Sequence, residues 1–279
     1  MEAALKVRVY VGPSLPLHEA RPILNADYRP PLRAADLPIA CAAGVDVVVI
    51  LDGAFIQATT ASVSQIALCL ERGMRVYGAA SAGALRAVEC KRLGMIGVGE
   101  IYRLFESGFE DEDELAVTFD PETGRCLSWP MVNVRNACRR AFEDQIISRD
   151  DADRIEAVAK SIYFAERTAA SVTKSCSAEL DSNTLSRFQS YVRTNADKLD
   201  LKAADSRACL STVAAFVNSR QLPVAPADTG WRPTCGPDVS GVLRELVHTG
   251  DEPRQRACGC CQGTCGRRGL PPKARPGVR

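Results

Sequence analysis

The chain has 279 residues, 46% of them apolar, which is enough to bury a sizeable core in one large domain or two modest ones. Its net charge of +1 conceals an asymmetry: after Glu252 there are seven basic residues and no acid, which leaves residues 1–252 at −6. An acidic body disfavours non-specific nucleic-acid binding, so only the tail offers such contacts, and no apolar stretch reaches transmembrane length.

In chain order, the opening "MEAALKVRVYVGPS" lacks a basic region leading into a long apolar run and a cleavage site, so it reads as a first strand rather than a targeting segment. "VRVYVG" (7–12), "VDVVVILDG" (45–53) and "MRVYGA" (74–79) are rich in β-branched residues and end at Gly or Ala. Between the last two, Ile66 and Leu70 of "TTASVSQIALCLERG" fit a helix closed by Gly73. Such near-continuous apolar runs alternating with helical segments predict an α/β fold, with a mostly parallel sheet flanked by helices. After about Gly99 the strand signal fades. Helical patterns follow at "MVNVRNACRRAFEDQI", at "SRDDADRIEAVAKSIYFAER" with Ser148 and Asp151 in capping-box-like spacing, and across roughly 176–218. The expected organisation is an α/β core over 1–170, a helical extension over 171–225 and a poorly ordered basic tail over 226–279, rich in Pro, Gly and Cys.

Ligands of an open parallel sheet bind beyond the carboxyl ends of its strands. Three predicted strands end in polar or turn residues: Gly12-Pro13-Ser14, Asp52-Gly53 and Ala80-Ser81. Ser81 opens the helix "AGALRAVECKRLG" and is surrounded by Gly78, Ala79, Ala80, Ala82, Gly83 and Ala84. Two readings stand side by side: a helix cap with close helix-on-sheet packing, or a backbone that closely approaches an anion or acyl group. "AASAG" also reads as a relaxed nucleophile elbow, for which His18 and Asp52 are the triad partners at hand. Asp52 itself is either a turn residue or a carboxylate held for a ligand. Arg86 and Glu89, three apart on one helix, fit an ordinary surface pair.

The acidic run Asp111–Glu114 reads as the first turn of a helix in preference to a magnesium site, and no metal or other cofactor is expected. Of the twelve cysteines, eight lie singly in periodic segments and suit small buried positions in a reduced compartment, which points to the cytoplasm. Cys258, Cys260, Cys261 and Cys265 cluster in the tail; zinc ligation and a persulfide role are alternatives to an unstructured segment.

Taken together, "VYVGPSLP", "GVDVVVILDGAF", "RGMRVYGAASAGALRAVECKRLGMIGVGEIY", "DEDELAV" and "PMVNVRNA" resemble the TfuA-like protein family in order and spacing, over about the first 170 residues. The resemblance implies a partner of YcaO-type enzymes, which activate a peptide backbone amide with ATP so that sulfide replaces its oxygen. It implies that the protein supplies the sulfur, by releasing sulfide from the thiocarboxylated C-terminus of a ubiquitin-like carrier protein, with the precursor peptide as a further partner. By motif, it carries catalytic roles onto Ser81, Asp52, Arg86 and Glu89, and substrate contacts onto Ser14, Gly78, Gly83, Asn133 and Arg135. Asn133 and Arg135 lie two apart near a helix start, where an amide and a guanidinium suit a carboxylate; a cap and a surface charge are the plainer alternatives. The chain also departs from the family pattern. Val63, Ser64 and Gln65 stand where His-Lys-Glu is common, the Thr118-Phe119 region lacks a His, and the serine motif lacks the usual Met after Ser. Two alternatives therefore remain: a non-catalytic activator or scaffold for the YcaO enzyme, and an unrelated serine hydrolase.

Overall fold

A computed structural model describes residues 4–54, 61–109 and 111–219, all within one compact unit. The tail, including Cys258, Cys260, Cys261 and Cys265, lies outside the described residues. The elements in order are β1 (Val7–Tyr10), α1 (Leu17–Ile23), β2 (Asp27–Arg29), α2 (Asp36–Ala42), β3 (Val47–Ile50), α3 (Val63–Glu71), β4 (Arg75–Gly78), α4 (Ala82–Glu89), β5 (Ile96–Gly97) and α5 (Glu100–Glu106). Then come α6 (Met131–Glu143), α7 (Arg149–Ser161), α8 (Ala169–Cys176), α9 (Ser182–Thr194), α10 (Ala196–Leu199) and α11 (Leu201–Ser219).

The strands form one sheet in the order β2-β1-β3-β4-β5, and every pairing is parallel. Because side chains alternate across a strand, β3 sends Val48 and Ile50 to one face and Val47 and Val49 to the other. On the first face they meet Ile66 and Leu70 of α3, Ala84 and Ala87 of α4, and Ile101 and Phe105 of α5. On the second they meet Ala20 of α1 and Cys209, Leu210 and Val213 of α11. This two-sided burial explains why β3 is apolar throughout. It is the α/β architecture expected from the strand and helix periods.

A separate cluster joins α6, α7, α8, α9 and α10, running from Met131 to Leu199 through Val134, Ile155, Val172 and Phe188. Capping boxes start α3 at Ser62 with Gln65, α7 at Ser148 with Asp151, and α8 at Thr168 with Ser171. Gln65 thus supports the start of α3 by accepting from the Ser62 N–H. No helix among the described residues is long and apolar enough to cross a membrane.

Candidate functional site

The strand order reverses direction between β1 and β3, and such a switch point opens a crevice beyond the carboxyl ends of the strands. There the loop after β1 is tied to the end of β3 by one buried carboxylate. Asp52 Oδ2 accepts from the Gly12 N–H at 2.8 Å and the Ser14 N–H at 3.0 Å, and Oδ1 accepts from Ser14 Oγ at 2.6 Å. Asp52 and Ser14 are each 2% exposed. The sequence brings these two residues together for a simple reason: parallel pairing puts Tyr10 beside Ile50, so the next residues of both strands emerge at the same edge.

The end of β4 is more unusual. Ala80 adopts a φ of +64°, and the Ser81 N–H donates to the Ala79 carbonyl at 2.7 Å. This closes a three-residue γ-turn of the positive-φ kind, a strained form for a residue with a Cβ. The turn delivers Ser81 to the start of α4, buried, with its hydroxyl making no hydrogen bond among the described residues. The Ala82 and Gly83 N–H groups, in the first turn of α4, likewise have no acceptor among the described residues. Gly53 reaches the same place: a Cβ built there would lie 3.1 Å from Ala82 Cβ.

The glycines around Ser81 have a packing role. A Cβ on Gly83 would collide with the Ile50 carbonyl oxygen, and one on Gly78 would collide with the Gly83 carbonyl. Both therefore let α4 lie directly against β3 and β4, which is what aims its free N–H groups over the strand ends.

Two further segments complete the rim. An antiparallel bridge pairs Phe119 with Cys126, and Cys126 Sγ donates to the Pro13 carbonyl at 3.6 Å, next to the loop that Asp52 holds. Burial of the sulfur pushes the Cys126 thiol up to about 11; Lys202 pulls against that shift, while Asp200 and Asp52 add to it. Lys202 lies at the start of α11, whose first turn is pinned by Asn133. Asn133 Oδ1 accepts from the Leu201 N–H at 3.0 Å, and Nδ2 donates to Asp200 Oδ1 at 3.0 Å. Asn133 is thus an internal clamp between α6 and α11.

The remaining sequence candidates make their own contacts. Arg86 pairs with Glu89 on α4. Arg135 grips Glu114 with Nε at 2.9 Å and Nη2 at 3.0 Å, and Glu156 with Nη1 at 2.6 Å. Lys160 bonds Asp111 at 2.7 Å and Asp113 at 2.8 Å, so the acidic run is neutralised by bases from α6 and α7. No group of three or more His, Cys, Asp or Glu suited to a metal occurs among the described residues. His18 is exposed and makes no hydrogen bond among the described residues, and the oxygens of Asp52 serve the β1 loop, so the triad of Ser81, His18 and Asp52 is not assembled.

Sequence reasoning missed the positive φ at Ala80, the Cys126 thiol and Lys202. Only Lys202 left a signal. Buried residues on α11 recur at 202, 203, 206, 209, 210 and 213, and the lysine falls on that stripe.

No curated protein matches the chain. The TfuA-like protein family matches over residues 52–168, a span that opens at Asp52 and contains the Ser81 turn and the Arg135 network. Residues 52–168 are thus similar to the TfuA-like protein family, which is associated with YcaO enzymes.

Proposed function

We propose that the chain delivers sulfur to a YcaO-type enzyme for peptide backbone thioamidation, by hydrolysing the thiocarboxylated C-terminus of a ubiquitin-like carrier protein. Thiocarboxylate and water give carboxylate and hydrogen sulfide, a balanced hydrolysis that needs no cofactor. The observation that carries this reading is the group of unpartnered donors at one strained turn, the Ser81 hydroxyl with the Ala82 and Gly83 N–H groups. Donors fixed in place at a site sheltered from water stabilise an oxyanion without having to reorganise. In this reading Ser81 and the α4 amides hold the acyl oxygen as water adds to the carbonyl carbon, and Asp52 and Ser14 hold the β1 loop that walls the site. Gly78 and Gly83 allow the close approach of α4. The Arg86–Glu89 pair, Asn133 and Arg135 act from outside this donor group, by keeping α4, α11 and the acidic segment in register. The precursor peptide meets the YcaO partner in the cytoplasm, and neither nucleic acid nor membrane takes part.

Ser81→Ala tests the reading: it abolishes sulfide release from a thiocarboxylated carrier while the melting temperature stays at the wild-type value. Unchanged release removes Ser81 from the reaction. One observation favours a second reading, that of a non-catalytic activator: no side chain hydrogen-bonds the Ser81 hydroxyl among the described residues, while Asp52 is engaged by Gly12 and Ser14 and His18 is exposed. If the chain stimulates its YcaO partner equally with free sulfide and with the loaded carrier, that second reading holds.

A further inference from the structure

The match to the TfuA-like family ends at residue 168, and α8 and α9 follow it. These two helices border a trough of about 540 Å3. α8 lends it residues 169, 170, 173 and 174, and α9 lends it residues 188, 189, 192 and 193, in each case one face of the helix. Phe188 is buried at its floor, with Val192 and Trp129 half-buried beside it. A small-molecule pocket encloses most of its ligand, whereas here Ala170, Gln189 and Ala196 are exposed and the trough is open to solvent. Two helix faces with an apolar floor between them are the seat that an amphipathic third helix fills.

Charge selects among such helices. Lys174 and Arg193 both line the trough, no acid does, and neither cation makes an ion pair or a side-chain hydrogen bond among the described residues. On α6 and α7, by contrast, Arg135, Arg139 and Lys160 each meet a carboxylate. Lys174 and Arg193 stand in the last turns of their helices, where a cation suits the helix dipole. The dipole favours no particular side of a helix, so it does not account for both cations lining the same trough. Residues 1–252 carry −6, so an acidic partner is repelled by most of the chain and drawn to this basic patch. We propose that the trough between α8 and α9 docks an acidic amphipathic helix of a partner protein, with its apolar stripe on Trp129, Phe188 and Val192 and its carboxylates on Lys174 and Arg193. The inference is independent of the thiocarboxylate reading, because none of these residues belongs to the strand-end site.

Trp129 is the reporter. The full-length chain carrying Trp231→Phe keeps Trp129 as its one tryptophan. The probe is a capped peptide of about four helical turns, with leucines spaced i, i+3, i+4 and i+7 and glutamates on the opposite face. One control carries lysines in place of the glutamates, and another has the same composition in scrambled order. The glutamate peptide changes the Trp129 emission saturably, and neither control does. Lys174→Gln combined with Arg193→Gln weakens its binding by about fivefold, as expected for the loss of two exposed ion pairs, with the melting temperature unchanged. Equal binding of the lysine peptide or of the scrambled peptide overturns the inference, and so does an unaltered affinity in the double variant. Sedimentation of the chain alone tests a second copy as the occupant: a dimer that the double variant turns into monomers also overturns it. Sulfide release from a loaded carrier, measured separately, decides the thiocarboxylate reading, so either proposal can fall while the other stands.

Discussion

Replacing Gly83 with alanine tests the most specific physical claim about this fold, that α4 lies against the sheet at backbone contact. The added Cβ would strike the Ile50 carbonyl oxygen and lie 2.6 Å from its carbon. Carbon pairs at rest sit at about 3.5–4.0 Å, so the start of α4 must move outward by about 1 Å. Both colliding atoms are main chain and cannot rotate away, which places the loss at the upper end of overpacking effects, about 3 kcal/mol. For a folded unit of this size that lowers the melting temperature by about 6–12 °C in a calorimetric scan. Gly78→Ala pushes on the same helix, because its Cβ collides with the Gly83 carbonyl oxygen and lies 2.9 Å from the carbonyl carbon. One outward shift of α4 relieves both clashes, so the double variant loses less than the two single losses combined, by about 1 kcal/mol. Gly73→Ala is the control: its φ is +80° with nothing within 4 Å of the new Cβ, and it loses about 1 kcal/mol from conformation alone. If Gly83→Ala melts within about 2 °C of the wild type, less than 1 kcal/mol by the same scaling, the close-contact argument is wrong.

Asp52→Asn keeps one oxygen for the Gly12 and Ser14 N–H groups but trades charge-assisted bonds for neutral ones, and lowers stability by about 1 kcal/mol in urea titration; an unchanged midpoint would show that the loop does not need the charge. Cys41 and Cys69 have sulfurs 3.3 Å apart, and the Cys69 thiol, with help from Arg72, holds the Cys41 thiol down at about 7. Diamide therefore joins the pair in an intramolecular disulfide, visible as the loss of two titratable thiols and absent in Cys69→Ser. Arg167→Met strips Asp113 and the carbonyls of Ala159 and Ile162 of a buried partner and destabilises the chain by about 3 kcal/mol. Burial alone would raise Asp113, but the bonds from Lys160 and Arg167 more than reverse this and hold it below the usual carboxylate range. The corresponding stability is present above the unfolded value of about 3.9 and is lost as pH falls through the lower folded value, so acid melts of Arg167→Met show a weaker dependence there.

The central strands were legible because "VDVVVILDG" and "MRVYGA" are apolar on both faces, a pattern that only a doubly covered parallel strand needs. Their neighbours at the sheet edges were not. β2 is the three residues Asp27, Tyr28 and Arg29, two of them exposed and charged, and β5 is only Ile96 and Gly97. Short edge strands take their pairing from the sheet and carry little apolar signal of their own. α1 and α2 were hidden too: each is seven residues long and contains a proline, Pro22 or Pro38, which argues locally against a helix. At the candidate site, the small residues around Ser81 were visible in the sequence, as was the turn-forming Asp52-Gly53. The γ-turn at Ala80 was not, since alanine has no preference for positive φ and only the tertiary fit of α4 imposes it. Cys126 is far from the Pro13 loop along the chain, and no local pattern indicates that the fold returns it there.

The unsatisfied groups at the rim all have the same sign, and that restricts the guest more than their number does. Elsewhere, Asp205 accepts from the Glu100 and Ile101 N–H groups at 2.8 and 2.7 Å, and Asn136 donates to the Leu199 carbonyl at 2.9 Å, while Arg167 Nη1 is buried without a partner among the described residues. Beyond the strand ends, the Ser81 hydroxyl and two α4 amides are without a partner among the described residues, and the carboxylate nearby already accepts from the Gly12 and Ser14 N–H groups and the Ser14 hydroxyl. In the thiocarboxylate reading proposed above, an anionic acyl group would satisfy these donors together. The strain at Ala80 fits the same logic. The γ-turn stands immediately before Ser81, whose hydroxyl does not cap α4 as an N-cap serine commonly does.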